Sequence, residues 1–219
     1  MHTLYELASG PLVWLSVILF LGGLLYKFIR LTLLARKKDP MVFEYLSLKY
    51  SLRSIIRWNI PFATRNMRLH PFMTVVSFVF HLCLFLSPIF LLAHVLLFQE
   101  SFGLAIWTLP EQVTDWMTVL VLLALLFFGL RRVFVPEVRY VTGAKEYLVI
   151  ILVALPFLTG FLAYHQIGPY LPMLLIHMLS GELLLALIPF TWLSHMILGL
   201  LIRAYMGSEF GSVRHARDW

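Results

Sequence analysis

Eight histidines carry most of the chemistry open to this 219-residue chain: His2, His70, His81, His94, His165, His177, His195 and His215. His2 and His215 lie in the tails, and His165 lies at the end of an apolar stretch. The other five fall in or at the ends of two apolar runs, where ionisable side chains are costly and usually functional. Imidazole is also well suited to bind the iron of a haem. At about 100° per helical residue, His177 and His195, 18 apart, share one face. His70 and His81, 11 apart, are offset by about 20° and also share a face. His81 and His94, 13 apart, diverge by about 140° on a straight helix, which leaves His94 outside the set.

If the two runs are antiparallel membrane helices, His81 and His177 stand near one face of the bilayer and His70 and His195 near the other. The ladder then closes as two bis-histidine pairs, the ligand set that two haems between two helices require. The rises differ, about 16 Å for one pair and about 27 Å for the other, so the helices cannot both be straight. Pro189, between His177 and His195, offers a kink. The competing reading is four hydrogen-bonded packing histidines. The one cysteine, Cys83, excludes an intrachain disulfide, a cysteine-ligated iron–sulfur cluster and a Cys-x-x-Cys-His haem attachment site.

Helices that span a bilayer must position these histidines. The chain is 61% hydrophobic and only 13% charged, with a mean hydropathy of +0.88. A soluble domain carries roughly 25% charged residues. The composition therefore excludes a soluble enzyme, a disordered chain and a nucleic-acid-binding protein, despite a net charge of +6. A span needs about 20 mainly apolar residues. Runs lacking Lys, Arg, Asp and Glu predict five spans, near 8–30, 71–98, 113–132, 146–165 and 172–203. The first lacks a basic leader and is too long for a signal-peptide core, so it reads as a retained helix. No internal repeat or linker divides residues 1–219, which read as a single membrane domain.

All 17 Lys and Arg fall between Lys27 and Arg68, between Arg131 and Lys145, or from Arg203 onward. The alternate segments Met1–Gly10, Gln99–Asp115 and Tyr164–Leu171 have none. The positive-inside rule then predicts an all-α integral membrane protein with a periplasmic N-terminus and a cytoplasmic C-terminus. In the long cytoplasmic loop, Met41–Trp58 interleaves Phe43, Leu46, Leu48, Leu52, Ile55 and Ile56 with Lys49, Arg53 and Arg57. That pattern predicts a basic amphipathic helix on the inner membrane surface, anchoring to lipid or docking a cytoplasmic partner.

Three motifs resemble the gamma subunit of respiratory nitrate reductase, a family of five-helix dihaem cytochromes b. Span V has His177, Gly181, Pro189-Phe190 and His195 at the family's spacing. Span II has His81 in the form His-x-x-x-x-Leu-Ser-Pro, ending at Pro88. The loop between spans III and IV has Arg131-Arg132-x-Phe-x-Pro-x-Val-Arg139 and then Thr142-Gly143-Ala144. The resemblance covers roughly residues 66–206. It implies two b-type haems, with His81 and His177 as ligands of the outer haem and His70 and His195 of the inner one. The family spaces its span II histidines by ten, whereas His70 and His81 are 11 apart, with Pro71 following. Within the family, the short cytochrome b of the high-molecular-weight cytochrome c transmembrane complex of sulfate reducers is similar in size and span count. That similarity implies a subunit of a respiratory complex in the bacterial inner membrane, without bond chemistry of its own. Its partners would be a periplasmic multihaem cytochrome c, another integral membrane subunit and iron–sulfur proteins.

Arg65, Arg68 and Arg203 lie near the inner histidines in sequence and are candidate partners for haem propionates. The family's quinol-contacting lysine lies just before span III, where this chain has Thr114, and no Lys or Arg stands on the outer side. A menaquinol-oxidising or -reducing cytochrome b anchor, which would add menaquinone as a cofactor, is therefore the alternative to direct protein-to-protein transfer. A haem-free membrane anchor is a further one. Glu182 is the only acid deep within the spans. It reads as part of a proton path, as a contact to a neighbouring subunit, or as a protonated group satisfied locally by backbone or Ser180.

Overall fold

The computed structural model describes residues 2–104 and 106–216. It is all-helical, with 85% of the described residues in helix. The helices used below are α1 (Val13–Lys38), α2 (Leu48–Trp58), α3 (Pro71–Phe90), α4 (Leu92–Phe102), α5 (Glu111–Phe134), α6 (Ala144–Tyr164), α7 (Tyr170–Leu187) and α8 (His195–Gly207). Among the described residues five helical segments are long and apolar enough to cross a membrane: Thr3–Lys38, Pro71–Phe90, Glu111–Phe134, Ala144–Tyr164 and Tyr170–Phe190. Large apolar side chains cover their outsides, with Trp14 57%, Ile18 64% and Leu25 60% exposed on the first. Such a surface is stable against lipid tails and not against water.

Two spans differ from the sequence expectation. Span II, expected as one helix over 71–98, stops at Phe90 and restarts at Leu92. Pro88 lies in its last turn. Lacking an N–H and clashing with the preceding turn, a proline weakens the helix around it, and Leu91 takes an extended conformation at φ −66° and ψ 130°. Span V, expected over 172–203, ends as an α-helix at Leu187. Two 3-10 turns, Ile188–Phe190 and Trp192–Ser194, follow before α8 begins at His195 itself. Pro189 fits the first of these turns, where its missing N–H is not needed.

By contacts the chain divides into two compact units. One comprises Val76–Leu184 with the residues up to Ser9. Its buried residues include Phe80 and Cys83 on α3, Val95 on α4, Thr114, Met117, Val121, Ala124 and Leu125 on α5, Val153 and Ala163 on α6, and Leu175 on α7. Hydroxyls bond back to their own helices, as Thr118 does to Thr114 O at 2.9 Å and Thr159 to Leu155 O at 2.7 Å. This keeps polar groups satisfied where water is absent. Gly143 starts α6, its N–H donating to the Glu146 carboxylate at 2.7 Å. Gly103, at φ 67°, ends α4 in the left-handed conformation that favours glycine.

The other unit comprises Gly10–Val75 and Leu185–Trp219. Here the expected amphipathic segment over 41–58 forms a single turn, Val42–Tyr45, and then α2. The face of α2 that packs on α8 is made of serines. Ser51 Oγ donates to Ala204 O at 3.0 Å and lies 3.0 Å from Ser208 Oγ, while the Ser47 N–H donates to Ser208 Oγ at 2.9 Å. Ser54 is fully buried on the same face. Small residues let the two helix backbones approach closely. The apolar stripe points away, with Leu48 73%, Leu52 48% and Ile56 56% exposed. That stripe is the one a membrane surface would take up.

Candidate functional site

The site begins with a packing detail on α6. A Cβ on Gly160 would stand 2.8 Å from both Cε1 and Nδ1 of His177. Only glycine lets the imidazole of α7 lie this close to the α6 backbone. There His177 Nδ1 donates to Pro156 O at 2.8 Å. A carbonyl oxygen only accepts, so the Nδ1 proton points at Pro156 O, and in the neutral ring Nε2 keeps its lone pair. Anchoring one ring nitrogen on a backbone carbonyl while the other faces a metal is the usual arrangement of a ligating histidine.

Three other histidines carry the same bond. His81 Nδ1 donates to Ser77 O at 2.7 Å, one turn back along α3. His195 Nδ1 donates to Trp192 O at 2.9 Å across the second 3-10 turn. His94 Nδ1 donates to Pro88 O at 2.8 Å, across the break between α3 and α4. The break creates that acceptor: in a continuous helix the N–H of Leu92 would take up Pro88 O. A second carbonyl freed there, Phe90 O, accepts from the Leu109 N–H at 3.0 Å.

Of the sequence-predicted ligands, His177 and His81 are half-buried, whereas His70 and His195 are exposed. His70 caps the short helix Arg65–Leu69, its N–H donating to Asn66 O at 3.2 Å. His81 lies edge-on to Phe80, with centroids 5.1 Å apart. The imidazole that the structure brings beside His177 is His94: the ring centroids are 5.8 Å apart and the planes differ by 18°. Helical spacing left His94 out because it assumed a straight span II. The signal was Pro88, six residues before it.

The candidate propionate arginines have other engagements. Arg68 donates to Phe62 O and Ala63 O, both at 3.1 Å. The Arg203 guanidinium stands over the Trp58 ring, 4.2 Å from its centroid. Arg65 opens the helix Arg65–Leu69 and is exposed. Sequence reasoning passed over Lys27 as one of many inner-side cations. Its ammonium donates to Pro189 O at 3.1 Å and to Ser194 Oγ at 2.7 Å, and Ser194 donates on to Thr191 O at 2.8 Å. Gly23, one turn earlier on α1, seats Pro189 so closely that a Cβ there would stand 2.7 Å from the proline. Lys27 thus closes the carbonyl opened by the break that leads into His195.

Elsewhere, Thr114 is buried and its hydroxyl donates to Glu111 O at 2.9 Å, back along its own helix. Asp115 pairs with His165 at 3.3 Å. Glu182 Oε1 is buried and has no hydrogen-bond partner among the described residues. Among the described residues, no three His, Cys, Asp or Glu side chains gather closely enough to hold a metal ion by themselves.

Fold and site together describe a helical chain with membrane-length apolar helices and backbone-anchored histidines within them. A protein of Nitratidesulfovibrio vulgaris strain Hildenborough, designated simply "Protein", is 36% identical to it, over 96% of this chain and 95% of the relative. The chain belongs to the family of that protein. No family model matches it, and no solved structure does.

Proposed function

We propose that this chain is a dihaem cytochrome b, similar to the nitrate reductase gamma subunit, that carries electrons across the bacterial inner membrane within a respiratory complex. The observation that carries the reading is the state of the histidines. His81, His177 and His195 each hold Nδ1–H on a backbone carbonyl, which fixes the tautomer whose Nε2 can bind iron. This donor chemistry fits a b-type haem, which is held by side-chain ligation and packing alone. In this reading His81 and His177 serve the outer haem and His70 and His195 the inner one. When bound, the haems supply one-electron chemistry.

The chain's own residues hold and orient. Gly160 and Pro156 fix the ring of His177, and the turn Trp192–Ser194 fixes that of His195. Lys27 closes the break before it, and the apolar helices exclude water. The N-terminus lies in the periplasm and the C-terminus in the cytoplasm. Short outer loops and the absence of cysteine ligands leave the further redox centres to partners: a periplasmic multihaem cytochrome c, a second integral membrane subunit and cytoplasmic iron–sulfur proteins.

The alternative menaquinol site has less support. Where the related family has a quinol-contacting lysine, Thr114 spends its hydroxyl on Glu111 O. A dithionite-reduced minus oxidised spectrum of membranes carrying the full chain tests the proposal. A b-type α band supports it. Its absence from haem-replete membranes returns the chain to a haem-free anchor. Rapid haem reduction by a menaquinol analogue in the isolated subunit, blocked by a quinone-site inhibitor, would favour the quinol reading.

A further inference from the structure

We infer that α2 is a docking surface for anionic phospholipid headgroups, and that α8 holds it in the rotation this contact requires. The residues of α2 divide its circumference into three sectors. Counted from Leu48 at about 100° per residue, the apolar side chains Leu48, Leu52 and Ile56 lie between about 0° and 80°. Lys49, Arg53 and Arg57 follow between about 100° and 180°, and Ser51 and Ser54 lie between about 240° and 300°.

The serine sector is taken up by α8, through Ser51 on Ala204 O and the Ser47 N–H on Ser208 Oγ. At the other end of α2, Trp58 carries the Arg203 guanidinium over its ring. Contacts at both ends stop α2 from rolling on α8, which leaves the apolar and basic sectors turned outward together. Leu48, Lys49, Leu52, Arg53 and Ile56 are exposed there. Arg57 is half-buried and donates to Ala63 O at 3.3 Å.

The occupant follows from tethering and charge. The segment that carries α2 runs between two membrane-length helices, leaving α1 at Lys38 and entering α3 at Pro71. It is therefore kept close to the bilayer, whose acyl chains are the apolar phase nearest to the stripe. With the stripe sunk to the acyl boundary, the basic sector beside it comes to headgroup level. Cations at that level favour anionic over zwitterionic lipid. No Asp or Glu occurs between Glu44 and Glu100 to offset them. Since α2 is already folded on α8, docking orders little new chain and loses little entropy.

The test uses the full chain in nanodiscs of phosphatidylcholine alone or with about one third phosphatidylglycerol. Chymotrypsin is added, and cleavage after Tyr50 and Trp58 is followed by mass spectrometry. Phosphatidylglycerol should slow cleavage roughly fivefold or more, the worth of one cation beside an anionic leaflet, and high salt should remove the protection. Lys49→Gln/Arg53→Gln should be cut at the phosphatidylcholine rate in both discs. Lys49→Arg/Arg53→Lys, which keeps both charges, should stay protected, as a merely disturbed helix would not. Arg139→Gln/Lys145→Gln removes the same charge from exposed positions on another loop and should stay protected too. Inorganic phosphate added to phosphatidylcholine discs should protect nothing. Equal cleavage in the two lipids would overturn the inference and leave the surface to a soluble protein partner. Protection that survives Lys49→Gln/Arg53→Gln, that is lost in either of the other two variants, or that inorganic phosphate supplies, would overturn it as well. Haem enters none of these readouts.

Discussion

The Gly160 backbone lies so close to the His177 ring that one added methyl group would stand 2.8 Å from two ring atoms. His177 depends on that closeness, because it is what brings Nδ1 within 2.8 Å of Pro156 O. A glycine on one helix thus fixes the tautomer and direction of a histidine on the next.

Gly160→Ala should accordingly act on cofactor binding before it acts on the fold. Alanine favours a helix by about 1 kcal/mol over glycine, but overpacking typically costs 1–3 kcal/mol. The expected result is loss or spectral broadening of the haem component proposed for His177, with a lower Tm. Gly129→Ala on α5, where a Cβ meets nothing within 4 Å, should leave the haem spectrum unchanged and should not lower Tm. Equal effects from the two substitutions would show that the Gly160 contact does not govern His177.

Lys27→Met should disturb the haem proposed for His195 and leave the one proposed for His177 intact. The substitution keeps an unbranched apolar stem one atom shorter and strips Pro189 O and Ser194 Oγ of a charged donor. Leaving such groups unpaired costs about 1–3 kcal/mol. Redox titration of the two components in the variant measures the effect. A shift in both components, or in neither, would contradict the local role given to Lys27.

Opposite faces of α2 should respond differently. Ser54→Leu places a large side chain where the serine is fully buried, and overpacking of about 1–3 kcal/mol is expected, read as a lower Tm in detergent. Leu52→Ser, on the exposed stripe, should leave Tm unchanged and make α2 more accessible to protease in membranes. If Leu52→Ser were the more destabilising, the assignment of the two faces would be reversed.

Much of this architecture was legible in the sequence because hydropathy over twenty residues is a coarse and robust quantity. The five apolar runs became helices near their expected places, and Pro189 marked a kink. What the sequence left obscure depended on single carbonyls. Periodicity along span II assumed one straight helix, so it discarded His94. Pro88 ends that helix, and the angular argument no longer holds beyond Leu91. The five-turn match of His177 and His195 assumed the same continuity, which the 3-10 turns at 188–194 interrupt. Lys27 and Gly160 were hidden for another reason. Neither belongs to a motif, and each matters through one close contact with a residue distant in sequence. Arg68 and Arg203 show the converse: proximity in sequence suggested propionates, while the fold engages them with backbone carbonyls and a tryptophan ring.

The central claim is that this chain moves electrons through the membrane, and proteoliposomes measure that directly. Haem-loaded protein is reconstituted around trapped ferricyanide, and a membrane-impermeant reductant is added outside. The account predicts that the internal ferricyanide is bleached at a rate proportional to haem-loaded protein. Bleaching should be lost in His177→Ala and absent from liposomes with haem-free protein. A fully haem-loaded, reducible protein that leaves the trapped ferricyanide untouched would contradict it.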